Sequence, residues 1–158
     1  MKCLCCGKEV SAERAVSGWH AACIKKFFGT KALPEIDLSS NALGQLATQS
    51  VTKGYTVPGV QKKLSLHLTE DQHPRLTIVD YPAGFILKPQ VDEYRCMPEA
   101  EHLVMSMADK AGIATVPHAL LQLGGHVAYI TKRVDRVKAN DGGIQRLAME
   151  DFCQLDLR

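Results

Sequence analysis

The alternation of apolar and polar residues predicts a short sheet in the middle of the chain. Leu64, Leu66 and Leu68 alternate with polar residues, which is the period of a half-buried strand. Glycines at positions 124 and 125 predict a hairpin turn between two later strands. The other predicted strands cover residues 75–81, 85–88, 115–123 and 126–134.

One helix is predicted between the strands. Pro98 fits the first helical turn, Glu99 suits the positive end of the helix dipole, and Gly112 fits the stop. Strands surrounding one packed helix predict an α+β fold with a small, mostly antiparallel sheet. The apolar stripe of this helix comprises Leu103, Val104, Met107, Ala108 and Ala111. Further helical segments are predicted over residues 20–28, 39–51 and 146–155.

Composition and charge place the chain among ordinary globular proteins. It has 158 residues, 46% hydrophobic and 23% charged, and its net charge of +2 is too small to indicate nucleic-acid or membrane binding. No apolar run approaches the roughly 20 residues that span a bilayer, and the start lacks the apolar stretch of a signal peptide. We therefore expect a cytoplasmic protein, in which the six cysteines are thiols or metal ligands.

Residues 1–30 form a cysteine-rich head with the spacing of a zinc site. Cys3 and Cys6 make one pair, and His20 and Cys23 make a second, each separated by two residues. Four such ligands would close a tetrahedral structural zinc site, which would stabilise a head too small for its own core. The alternative is a set of buried or free thiols beside an unrelated histidine. Cys5 could also replace either Cys3 or Cys6 as a ligand.

A lysine at the end of an apolar strand carries the main functional prediction. Lys88 closes the strand that begins at Phe85, and the following helix carries Glu99 and Glu101. Protein kinases use a strand lysine paired with a helix glutamate to hold the α- and β-phosphates of ATP. We assign that pairing to Glu101, and to Glu99 only the dipole interaction.

Five stretches together resemble the HipA family of bacterial serine/threonine kinase toxins. The resemblance covers about residues 52–155, and its stretches are residues 56–64, 85–89, 99–102, 132–136 and 146–154. It implies a kinase N-lobe over residues 39–158, with the family's C-lobe absent. The cysteine-rich, zinc-binding head over residues 1–30 precedes it as a separate unit. The short N-terminal part is similar to split, HipT-like members of the family.

The resemblance also implies roles for individual residues. Lys88 and Glu101 would act at the phosphates, and Thr56 would be the candidate for autophosphorylation. The implied phosphate loop comprises Pro58, Gly59, Val60, Gln61, Lys62 and Lys63, and the implied adenine-contacting hinge comprises Lys132, Arg133 and Val134. No residue is assigned a catalytic role, because the family's catalytic and magnesium-binding aspartates lie in the second lobe. ATP with magnesium is therefore expected to bind weakly, or only together with a C-lobe.

Two functions follow from these expectations. The first is the nucleotide-binding N-terminal part of a HipA-like kinase toxin, incompetent in catalysis without a C-lobe, so that the status of this chain as an enzyme stays open. The second is a non-enzymatic regulatory module that docks a partner kinase lobe or an antitoxin. A zinc-containing nucleic-acid-binding protein is disfavoured by the charge and the few aromatic residues.

The implied partners are proteins. They are the missing kinase C-lobe, a small HipS-like subunit and a helix-turn-helix antitoxin. Self-association is expected as well, because Leu147, Phe152 and Leu155 would lack the lobe that normally covers them.

Overall fold

The computed structural model describes residues 1–11, 15–36, 63–69, 73–79, 83–92, 94–138, 144–149 and 155–156. Two helices lie in these ranges, α1 (Ala21–Phe28) and α2 (Met97–Lys110). The strands are β1 (Ala15–Val16), β2 (Trp19–His20), β3 (Leu64–Leu68), β4 (Leu76–Ile78), β5 (Phe85–Pro89), β6 (His118–Leu123), β7 (His126–Lys132), β8 (Arg136–Lys138) and β9 (Ile144–Arg146). Neither helix has the length and apolar character needed to cross a membrane.

The centre of the fold is a five-stranded sheet with the order β4-β3-β5-β7-β6, in which every neighbouring pair is antiparallel. The alternation at Leu64 and Leu66 produces β3, whose two leucines are both buried. The glycine turn joins β6 to β7 as predicted, with Gly124 at a φ of 57°. The α+β class with an antiparallel sheet is therefore confirmed.

One face of the sheet packs against α1 and the cysteine-rich head. Leu87 pairs with Leu64 on one side and with Ile130 on the other, and all three side chains are buried. Phe27 and Phe28 of α1 lie on Phe85, with ring centroids 5.9 and 5.5 Å away. The head and the sheet therefore share one hydrophobic core.

The head also covers an edge of the sheet. Strand β6 is the last strand, so the outward N–H and C=O groups of Leu120 need partners from outside the sheet. The N–H of Leu120 donates to the carbonyl of Leu4 at 2.9 Å, and the indole N–H of Trp19 donates to the Leu120 carbonyl at 3.2 Å. Trp19 is fully buried and belongs to the core.

The other face of the sheet packs against α2, but the apolar stripe of this helix does not lie in that contact. Leu103, Val104 and Met107 are 59%, 63% and 59% exposed. The helix instead turns Glu101 and His102 towards the sheet, because this sheet face carries the polar partners of both residues. The apolar side of α2 is therefore a surface in the described part of the chain.

Other sequence expectations have mixed outcomes. The helices predicted at 20–28 and from Pro98 are present as α1 and α2, with Gly29 at a φ of 82° ending α1. The helix predicted to begin at Arg146 is wrong at its start, because Arg146 pairs with Arg136 in the β8–β9 hairpin. The helix predicted over 39–51 lies outside the described residues. The division into units at residues 1–30 and 39–158 stays a prediction.

Candidate functional site

An ion pair between β5 and α2 forms the centre of the candidate site. The ammonium of Lys88 donates to Oε1 of Glu101, and the two side chains are 20% and 28% exposed. The strand places Lys88 on the face opposite Leu87, since successive side chains alternate between the faces. The helix places Glu101 one turn from its start. The predicted pairing of Lys88 with Glu101 is therefore confirmed, and Glu99 lies exposed in the first turn.

Two neighbouring strands add a second cation and an aromatic ring. Leu64 pairs with Leu87, so the same register places Lys63 opposite Lys88. Burial and the charge of Lys88 lower the pKa of Lys63, while Glu101 partly offsets them. On the other side, the Lys88 ammonium lies 5.3 Å from the centroid of the Tyr129 ring, within the range of a cation–π interaction. Two ammonium groups and one carboxylate thus share a small, half-buried region.

Two histidines lie beside this region, and the sequence reasoning missed them. Nδ1 of His102 on α2 and Nδ1 of His118 on β6 are 2.9 Å apart. The His118 ring also stacks on Tyr129, with 6.0 Å between centroids and 19° between planes. Burial, followed by the neighbouring His118, lowers the pKa of His102 to about 4. Side chains alternate between the two faces of a sheet, so the register of β6 and β7 would have placed His118 and Tyr129 on the face of Lys88. That register could not be read from the sequence.

The implied phosphate loop can be tested only at its end. Lys63 is described, whereas Thr56 and residues 58–62 lie outside the described residues. The implied phosphate loop therefore stays a prediction.

The implied hinge is tied into the fold by its own backbone and by a buried carboxylate. The N–H of Lys132 donates to the carbonyl of Pro117 at 2.9 Å, and that of Arg133 donates to the carbonyl of Gly84 at 2.8 Å. The Arg133 guanidinium makes two hydrogen bonds to Asp135, at 2.9 and 2.8 Å. Because these groups are already engaged, they are not available to a purine without rearrangement; Val134 is exposed.

The cysteine-rich head contains a cluster with the geometry of a metal site. The ligand atoms of Cys3, Cys6, His20 and Cys23 all lie within 4.8 Å of one another. Nδ1 of His20 is 3.4 Å from Sγ of Cys6 and 3.7 Å from Sγ of Cys23. A tetrahedral zinc site with Zn–S bonds of about 2.3 Å needs ligand atoms about 3.5–3.8 Å apart, so these residues fit a metal ion.

The surroundings of the cluster favour metal ligation by these four residues rather than by Cys5. Nε2 of His20 lies 3.2 Å from the carbonyl oxygen of Glu9, a contact that would leave Nδ1 for the metal. Burial raises the pKa of Cys3, but backbone N–H groups, led by that of Cys6, outweigh it and lower the value to about 7. Burial raises the pKa of Cys5 and of Cys23 alike, so these shifts do not separate the two residues. Cys5 is placed outside the ligand set because the converging ligand atoms in the described part of the chain are those of Cys3, Cys6, His20 and Cys23.

Comparison with known proteins points to the family that the residues resemble. A model of the HipA-like C-terminal domain matches residues 55–156. "Putative kinase Y4mE" of Sinorhizobium fredii is 30% identical over 99 residues, covering 63% of this chain and 23% of that protein. A "Putative kinase" of Haemophilus influenzae is 27% identical over 137 residues, covering 83% of this chain and 39% of that protein. The chain thus spans well under half the length of these relatives.

We predict that Asp135→Asn destabilises the protein by about 2 kcal/mol at pH 7. The fold lowers the pKa of the Asp135 carboxyl from 3.8 to about 2, and each pKa unit corresponds to about 1.4 kcal/mol. Hydrogen bonds from Arg133 are the main cause of this lowered pKa. Burial raises the pKa, whereas the charges of Arg133 and Arg136 lower it further. A lowered carboxyl pKa stabilises the fold above the ordinary value of 3.8, and this stabilisation is lost as the pH falls towards 2.

Urea denaturation across this pH range would measure the effect, with Asp156→Asn at an exposed position as the control. A difference between the wild type and Asp135→Asn that stayed constant from pH 7 to pH 2 would contradict the ion-pair explanation.

Proposed function

Because the chain belongs to the family of HipA-like C-terminal domains, we propose that these residues form the nucleotide-binding part of a HipA-like serine/threonine kinase. The observation that carries the proposal is the ion pair between Lys88 and Glu101. In protein kinases a strand lysine held by a helix glutamate contacts the nucleotide phosphates.

The charges of the candidate site suit a polyphosphate. Lys63 and Lys88 both lie beside Glu101, and ammonium groups form charge-assisted hydrogen bonds to phosphate oxygens. Glu101 holds the Lys88 ammonium on one side, and the ring of Tyr129 lies 5.3 Å from it on the other. Lys88 would thus contact the α- and β-phosphates, while Lys63 would approach from the adjoining strand.

Phosphoryl transfer needs more than this cluster. Kinases also need an aspartate that accepts the proton of the substrate hydroxyl, and carboxylate and amide ligands for magnesium. No residue of this chain is assigned those roles by motif, so we propose ATP binding here and turnover only when further residues supply them. Autophosphorylation at Thr56, membership of a toxin–antitoxin pair and the antitoxin partner remain predictions.

The four ligands of the head are proposed to hold a structural zinc ion. All coordination positions would be filled by protein, which leaves none for a substrate. Zinc would fix the turn at Cys3–Cys6 against the start of α1, and this part of the chain covers the outer edge of β6. The ion would therefore stabilise the sheet at its β6 edge.

A second candidate function is a docking module without enzymatic activity. The exposed apolar residues favour it, since large exposed apolar patches mark interaction sites. On α2 and just after it these are Leu103, Val104, Met107 and Ile113, and near the end of the chain they are Leu147, Met149 and Leu155. Binding to a kinase lobe without any effect of nucleotide would select this function over the first.

For the nucleotide site, we predict that ATP with magnesium raises the thermal midpoint of the wild type and that Lys88→Met abolishes the shift. At about 100 times the dissociation constant, one-site binding adds about 2.7 kcal/mol of stability. Lys110→Met, at the exposed end of α2, is the matched control and should keep the shift. Lys88→Met also leaves Glu101 unpaired, which lowers the thermal midpoint by itself. The comparison therefore uses the ATP-induced shift of each variant and not its midpoint. An undiminished shift in Lys88→Met would refute the assignment.

For the head, we predict that purified protein carries about one zinc ion per chain, as a closed four-ligand site requires. Cys23→Ser should lose the metal and melt at a lower temperature, because its remaining ligands cannot close the tetrahedron. Cys5→Ala should keep it, since Cys5 lies outside the ligand set. Elemental analysis together with thermal melts in the presence of a chelator would decide; equal zinc content in both variants would show that the ligands are misassigned.

A further inference from the structure

The helix α2 is attached to the sheet at two points through two consecutive residues. Glu101 reaches Lys88 on β5, and His102 reaches His118 on β6. These strands are separated by β7, so the attachments lie about 10 Å apart across the sheet. Consecutive helical residues project about 100° apart, so the two side chains lie on either side of the line where the helix faces the sheet.

The ring of Tyr129 on β7 lies between the two attachments. It contacts the Lys88 ammonium on one side, at 5.3 Å, and the His118 ring on the other, at 6.0 Å. These contacts connect His102 to Glu101 by way of His118, Tyr129 and Lys88. A single attachment would leave the helix free to roll about its axis, whereas two attachments on separate strands fix both its position and its rotation.

We propose that His102 and His118 are positioning residues, whose mutual hydrogen bond sets the rotation of α2 so that Glu101 stays in contact with Lys88. This proposal rests on the proposed function, in which that ion pair holds a nucleotide. The short Nδ1–Nδ1 distance requires one ring to donate and the other to accept. Two neutral rings in opposite tautomers meet this requirement.

The charged groups around the pair agree with neutral rings at neutral pH. Burial lowers the pKa of both rings, and His118 lowers that of His102 further. Asp109 and Glu101 on α2 raise the pKa of His118, but burial outweighs them. If both rings were charged, two N–H groups would face each other and the attachment would be lost.

The competing explanation is that the rings only fill space between α2 and the sheet. His118→Phe keeps an aromatic ring and removes the hydrogen bond, while His118→Asn replaces Nδ1 by an amide that can still bond to His102. Under the proposal, His118→Phe weakens ATP binding about tenfold, equivalent to about 1.4 kcal/mol, and His118→Asn restores most of the loss. Equal affinities of the Phe and Asn variants would overturn the proposal.

A second measurement does not depend on nucleotide. Without ATP, the drop in thermal midpoint caused by Glu101→Gln should be smaller in the His118→Phe background than in the wild type, because the ion pair is already loosened there. Additive drops would overturn the positioning role. If the wild type bound no ATP, the proposed function would fail, and this comparison would still decide the role of the histidines.

Nitrogen-15 spectra of the wild-type histidines provide the test if the variants do not fold. At pH 7, the spectra should show one of the two facing Nδ1 atoms protonated and the other unprotonated. Identical tautomers for His102 and His118 would exclude the hydrogen bond and with it the proposal.

Discussion

The arrangement of the sheet face that packs against α2 depends on the ion pair between Lys88 and Glu101. Two half-buried charges are costly unless they meet, and their meeting requires that α2 turn a polar side towards the sheet. This constraint explains why Leu103, Val104 and Met107 face outward although they form an apolar stripe. The sheet face below α2 accordingly carries the polar and aromatic partners Tyr129 and His118 beside Lys88.

The opposite face of the sheet follows the usual logic of a hydrophobic core. Leu64, Leu87 and Ile130 form a buried row against which the aromatic residues of α1 pack. The head adds hydrogen bonds to the edge at Leu120, so its folding and the stability of the sheet are connected. A metal in the head would therefore support the proposed nucleotide site through the sheet.

The parts of the structure that depend on local patterns could be predicted from the sequence. The alternation at Leu64–Leu68, the glycine that ends α1 and the order of Lys88 before Glu101 led to the correct elements and the correct ion pair. The rotation of α2 could not be predicted, because periodicity identifies an apolar stripe but not the polar partners that compete with it. The pairing of His102 with His118 depends on strand register between distant segments. Arg146 was assigned to a helix because its tertiary pairing with Arg136 is invisible to local propensity.

A crystal structure with magnesium and a non-hydrolysable ATP analogue is the most direct test of the central claim. The claim predicts that the Lys88 ammonium lies within about 3 Å of an α- or β-phosphate oxygen while remaining in contact with Glu101. A nucleotide bound at another surface, or a Lys88 ammonium directed away from both the phosphates and Glu101, would contradict it.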